Sequence, residues 1–175
     1  MSEFTKDNNW ARQMRDKHLK PLYRERSAEG RFVFCDKGRL AREIQRMSVD
    51  TIMQGIDGEI CGVEEKIRRW PIYRHRDMAL ETKSCSVAGH ETPGWMYTAK
   101  CKVLLYCFEQ KDGRLLCFAV PFAPLRDWFF EDNRFLQYGK IQTTQFNHSE
   151  CRVVPLKDIL RNIGGCRVFW GGSRC

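Results

Sequence analysis

Hydrophobic positions along this chain recur with two different periods, and the switches between them delimit the elements. Residues 1–28 are polar and charged, with apolar side chains at Trp10, Met14, Leu19 and Leu22, a spacing that predicts an amphipathic helix. Its end is expected near Lys20-Pro21, because proline disfavours helical backbone in the residue before it. The run RFVFC, from Arg31 to Cys35, reads as a short strand. Asp36 can cap a second helix over KGRLAREIQRM, whose Leu40, Ile44 and Met47 share one face.

From Val49 the period shortens. Val49 to Met53, Ile56 to Cys61 and Val63 to Ile67 read as short extended segments broken by Gly55, Gly58 and Gly62. A basic loop, RRWPIYRHR, leads into the strand DMALETKS, and the loop AGHETPG leads into WMYTAKCK. Two strongly alternating runs, KVLLYCFEQ and GRLLCFAVPF, flank Lys111-Asp112-Gly113 and predict a hairpin. Pro124 opens a helix, PLRDWFFEDN; after it come a strand (CRVVPL), a short helix (LKDILRNI) and a glycine-punctuated tail. The pattern predicts one mixed α/β (α+β) domain over 1–175, a central sheet of mainly consecutive strands flanked by helices. Residues 1–30 form an N-terminal helical extension and 161–175 a tail, in which Phe169-Trp170 packs on the sheet or faces a partner.

Composition narrows the class. The chain has 175 residues and is 42% hydrophobic and 30% charged, enough to hold a core by burial alone. Its longest apolar runs are strand-length, so no membrane span is expected, and the first twenty residues lack the apolar core of a secretory signal. A cytoplasmic protein is the expectation. Net charge is +8, which favours polyanions such as nucleic acid. Nine cysteines occur with no CxxC pair; Cys107 and Cys117 fall inside strands, where a thiol packs as a small apolar group. The expectation is reduced thiols, with Cys85/His90 and Cys166/Cys175 as loose zinc candidates.

The candidate chemistry is carboxylate and lysine. In GVEEKI, Glu64 and Lys66 share one strand face; in DMALETKS, Asp77, Glu81 and Lys83 share another. A half-buried strand produces such alternation by default, so a solvated polar face is the plain alternative. If the two strands pair, Asp57, Glu64 and Glu81 converge, and like charges that close call for a cation. A hard divalent ion takes oxygen ligands, acidifies a bound water and clamps a phosphate.

At these residues the chain resembles the PD-(D/E)XK (restriction-endonuclease-like) nuclease superfamily, in particular its small phage and mobile-element members. GIDGEICGVEEKI is similar to the strand pair of that superfamily carrying an aspartate and then acid-x-lysine. DMALETKS, PGWMYTAKCKVLLYCF and GRLLCFAVPFAPLRDWF resemble the superfamily's next segments in order: a second acidic strand, a Gly-Trp turn, a lysine-bearing segment and a two-strand hairpin. The likeness covers roughly 38–160 as a nuclease-like core. It implies a restriction-endonuclease-like fold and Mg²⁺- or Mn²⁺-dependent hydrolysis of DNA, with DNA favoured over RNA and a homodimer able to cut both strands. Catalytically inactive relatives that bind nucleic acid or a host protein are the other reading. The resemblance makes Asp57, Glu64 and Glu81 metal ligands and Lys66 the catalytic lysine; Glu43 resembles the extra acid that many members place near the site, with a solvated helix glutamate as the favoured reading. Ile56 stands where proline often precedes the first aspartate, and only six residues separate Asp57 from Glu64, short for two strands and a turn. A competing register therefore uses Glu81-x-Lys83. Arg68, Arg69, Arg74 and Arg76, with Lys100, are the candidate phosphate contacts; Trp70 and Tyr73 are candidates to stack on bases, and His75 is a candidate acid or base.

Overall fold

The N-terminal spacing folds as a helix, but the helix does not stop at proline. In the computed structural model, which describes residues 3–35, 43–44, 47–55, 57–69, 77–85, 90–142 and 148–171, α1 (Glu3–Met14) passes through a π-helical segment (Arg15–Leu19) into α2 (Lys20–Arg26). Pro21 falls in the first turn of α2, and the wider π turn before it takes up the backbone change that a proline ring imposes. The helix expected over 37–47 lies largely outside the described residues; Glu43 and Ile44 are helical.

The strands are β1 (Ser27–Phe34), β2 (Thr51–Gly55), β3 (Ile60–Arg68), β4 (Asp77–Cys85), β5 (Thr92–Pro93), β6 (Val103–Glu109), β7 (Leu115–Pro121), β8 (Gly139–Gln142), β9 (Glu150–Pro155) and β10 (Arg167–Gly171). Between them sit the helices α3 (Trp95–Thr98), α4 (Phe122–Phe130) and α5 (Leu156–Asn162). The class is mixed α/β, with two sheets rather than one. The first runs β1-β2-β3-β6-β7-β10, the second β5-β4-β9-β8. Among the described residues only β3 and β6 pair in parallel. Where the sequence predicts two strands, over 56–61 and 63–67, a single strand runs from Ile60 to Arg68, because Gly62 stays within the ladder opposite Ile52; residue 56 lies outside the described residues. The tail residues Phe169-Trp170 belong to β10, which closes the first sheet against β7.

Each face of the first sheet has its own core. One face packs Leu104, Tyr106, Phe118 and Val120 against Met78, Leu80 and Val154 of the second sheet and against α4 and α5. The other packs Val63, Leu105, Cys107 and Cys117 against Met14, Leu19 and Tyr23 of the N-terminal helices. Tyr106 ties the sheets together: its hydroxyl accepts from Arg68 Nε at 2.9 Å and from the Ala79 amide at 3.0 Å. Tyr106→Phe leaves both donors without that acceptor, so it is expected to cost about 1–3 kcal/mol in denaturant unfolding. The described cysteines are free thiols, and Cys107 Sγ lies 3.1 Å from Cys117 Sγ in the core; Cys175 lies outside the described residues. No helix among the described residues is long and apolar enough to cross a membrane.

Candidate active site

Strand alternation divides β3 cleanly. Glu64, Lys66 and Arg68 face the second sheet, beside Leu104, Tyr106 and Phe108 of β6. Val63, Glu65 and Ile67 face the N-terminal helices. On the first face Lys66 Nζ donates to Glu64 Oε1 and lies 5.3 Å from the centroid of the Trp95 ring.

The carboxylate that joins them is Asp50. Its amide donates to the Val63 carbonyl at 2.8 Å, extending the β2–β3 ladder by one residue. Its Oδ2 accepts from the Glu65 amide at 2.8 Å, and its carboxyl is hydrogen-bonded to Glu64. Asp50, Glu64 and Lys66 thus form one cluster on neighbouring chain segments. Among the described residues no group of three or more His, Cys, Asp or Glu side chains is arranged to hold a metal, so the acidic part of this cluster is a pair.

Electrostatics follow from burial. Removal from water pushes Glu64 up to about 7; the Asp50 charge adds to that rise, and Lys66 opposes it. Burial pushes Lys66 the other way, but the Glu64 and Asp50 carboxylates outweigh it and hold the lysine above its ordinary value. Lys66 is therefore a fixed positive charge at neutral pH, unsuited to act as a base.

The remaining anticipated residues are distributed differently. Asp57 sits exposed in the β2–β3 turn, where its Oδ1 accepts from the Glu59 amide at 3.1 Å. It lies beyond Ile60, four strand residues from Glu64 and so about 13 Å along β3. That corrects its assignment beside Glu64: it shapes the turn. Glu81 belongs to the second sheet, so β3 and β4 do not pair as expected. Its Oε1 receives the Ser84 hydroxyl at 2.6 Å and the Trp95 amide at 3.4 Å. Through Trp95 it supports the ring that flanks Lys66, a positioning place rather than one in the acid pair. Gly94 makes this possible, since a Cβ there would come within 2.4 Å of the Glu81 carbonyl oxygen. Lys83, the lysine of the Glu81-x-Lys83 register, pairs with Glu91 at 2.9 Å on the surface.

Of the basic candidates, Arg68 is held by Tyr106, and Arg69 stacks 4.7 Å from the Trp10 ring centroid. Lys100 is exposed. Trp70, Tyr73, Arg74, His75 and Arg76 lie outside the described residues, and Glu43 is helical and exposed.

A second buried acid lies on the opposite face of β3. Glu65 Oε1 accepts from the Tyr23 hydroxyl at 2.7 Å and the Thr51 hydroxyl at 2.6 Å. Burial, only partly offset by those two donors, pushes it up to about 7. Asp50 and Glu65 were both missed in the sequence. Asp50 carries the one available signal, an acid at the start of a strand that a tight turn folds back beside Glu64. Glu65 carries none, because only the docking of α2 decides that its face is buried. No protein-family model, no curated protein and no solved structure matches this chain.

Proposed function

We propose that the protein is a metal-dependent nuclease hydrolysing DNA phosphodiester bonds at Asp50, Glu64 and Lys66. The observation that carries the reading is the meeting of two carboxylates and one ammonium across the β2–β3 hairpin. The order acid, acid-x-lysine is the one that the PD-(D/E)XK resemblance implies, with Asp50 in place of Asp57.

The donor set suits Mg²⁺ or Mn²⁺. Two adjacent hard-oxygen ligands match an ion that keeps several waters and completes its shell with phosphate oxygens. Such an ion, when bound, supplies an acidified water and positive charge at the phosphate. Asp50 and Glu64 would hold it, and neutralisation of their mutual repulsion would favour both as carboxylates. Lys66, whose side chain is 25% exposed, directs its charge at a non-bridging phosphate oxygen. Trp95 excludes water from one side of that ammonium, which strengthens its field. The +8 net charge attracts the substrate, and free thiols fit a cytoplasmic location. With a single such acid pair among the described residues, a homodimer is the arrangement for cutting both strands.

One observation favours a second reading, a non-catalytic nucleic-acid-binding protein. The Glu64 side chain is only 5% exposed and already paired with Lys66. Incubation with supercoiled, linear and single-stranded DNA and with RNA, in Mg²⁺, Mn²⁺ or EDTA, separates the two. Metal-dependent DNA cleavage is expected, falling about a hundredfold in Lys66→Ala and unchanged in Lys83→Ala. Salt-sensitive binding without cleavage would select the second reading.

A further inference from the structure

The face of the first sheet that carries Glu65 is only half covered. Met14, Leu19 and Tyr23 of the N-terminal helices pack over Cys107, Leu115 and Cys117. Beyond them a groove of about 970 Å³ stays open. Its floor is Met53, Val63, Val103, Leu105, Ala119 and Phe169, contributed by five neighbouring strands, β2, β3, β6, β7 and β10. Four inter-strand spacings make that floor about 19 Å wide, the reach of a long acyl chain rather than of a short polar metabolite. The volume lies within the range of ligand pockets, and the lining has their character, mostly apolar with a few polar groups.

Those polar groups are mainly cationic. Arg26, at the end of α2, and Arg167, at the start of β10, both line the groove. Both are exposed, and neither forms an ion pair with a described residue. The acid on the lining, Asp57, belongs to the β2–β3 turn, where it is tied to the Glu59 amide. An apolar floor with two uncommitted guanidinium groups fits a ligand with one long hydrocarbon chain and a carboxylate head, which arginine binds with paired hydrogen bonds.

We propose that this groove binds a long-chain fatty acid, its chain across the sheet floor and its carboxylate at Arg26 or Arg167. The site is separate from the Asp50–Glu64–Lys66 cluster, which lies on the opposite face of β3, and it stands whether or not the protein is a nuclease.

The test is calorimetric titration of the intact chain with palmitate, kept below its micelle-forming concentration, beside the uncharged hexadecanol. One saturable site per chain is expected, with hexadecanol at least tenfold weaker. The Arg26→Gln/Arg167→Gln double variant changes only exposed side chains, so its melting temperature is expected to hold while palmitate affinity falls at least tenfold. Ala119→Trp fills the floor and is expected to abolish binding; Asp50→Asn is expected to leave it intact. The proposal is overturned by absence of saturable binding, by several weak sites per chain, or by equal affinity for palmitate in the folded double arginine variant. Saturable binding of a partner's amphipathic helix with no affinity for palmitate would likewise overturn it.

Discussion

Asp50→Asn is expected to lower metal-dependent DNA cleavage by about a hundredfold or more, the order lost when one preorganised charged group is removed from a reacting centre. Asp57→Ala is expected to leave it nearly unchanged. The contrast rests on geometry. Asp50 is hydrogen-bonded to Glu64 and anchored by the Glu65 amide, whereas Asp57 faces solvent at the far end of the hairpin. Asparagine keeps the size and one acceptor oxygen, so the amide contact of Glu65 survives while the charge that would hold a cation is lost. Initial rates on supercoiled DNA at fixed Mg²⁺, with melting temperatures of both variants, provide the comparison. Equal loss in both variants would place the reactive metal elsewhere.

The second large effect concerns pH and stability. Glu65 rises from an ordinary value of 4.5 to about 7 in the folded chain, chiefly through burial. A group with a raised folded value holds its proton more tightly when folded. Below 4.5 both states are protonated and nothing is lost. Between 4.5 and 7 the unfolded chain releases the proton while the folded chain keeps it, so stability falls as pH rises. Above 7 the loss is complete, up to about 3 kcal/mol from this residue. Glu64, also raised to about 7, contributes in the same direction. Melting temperature is therefore expected to drop between pH 5 and pH 8. Glu65→Gln keeps an oxygen for the Tyr23 and Thr51 hydroxyls without the charge; it is expected to match the parent at pH 5 and exceed it at pH 8. A melting temperature flat across that interval, or a pH slope unchanged in Glu65→Gln, would contradict the account.

How far these features were legible from sequence depends on the range of the interactions that create them. The β6–β7 hairpin is written locally: alternation runs through both arms, and Gly113 takes the positive φ of 77° that the turn requires. The Glu64–Lys66 pair is equally local, two residues apart on one strand. Asp50 is not, because its place beside Glu64 depends on the register Thr51↔Val63. The glycines mislead there. Gly62 reads as a strand break, yet it is the residue against which Val49 packs, 3.3 Å from where a Cβ would stand. The placement of Glu81 in the second sheet was illegible for a related reason. The principal partner of β4 is β9, far along the chain, and nothing near DMALETKS announces it. Strand β10 is five residues long beside glycines and becomes a strand only because β7 offers a free edge. The N-terminal helix shows the converse: its apolar spacing was plain, but its passage through Pro21 needed the π segment, which spacing does not encode.

The central claim is that Asp50 and Glu64 together hold a divalent cation. Titration with Mn²⁺, followed by electron paramagnetic resonance of the free ion at neutral pH, tests it most directly. The account predicts one bound Mn²⁺ per chain, lost in Asp50→Asn and Glu64→Gln and retained in Asp57→Ala. No bound ion in the parent protein, or loss of the ion in Asp57→Ala with retention in Asp50→Asn, would contradict it.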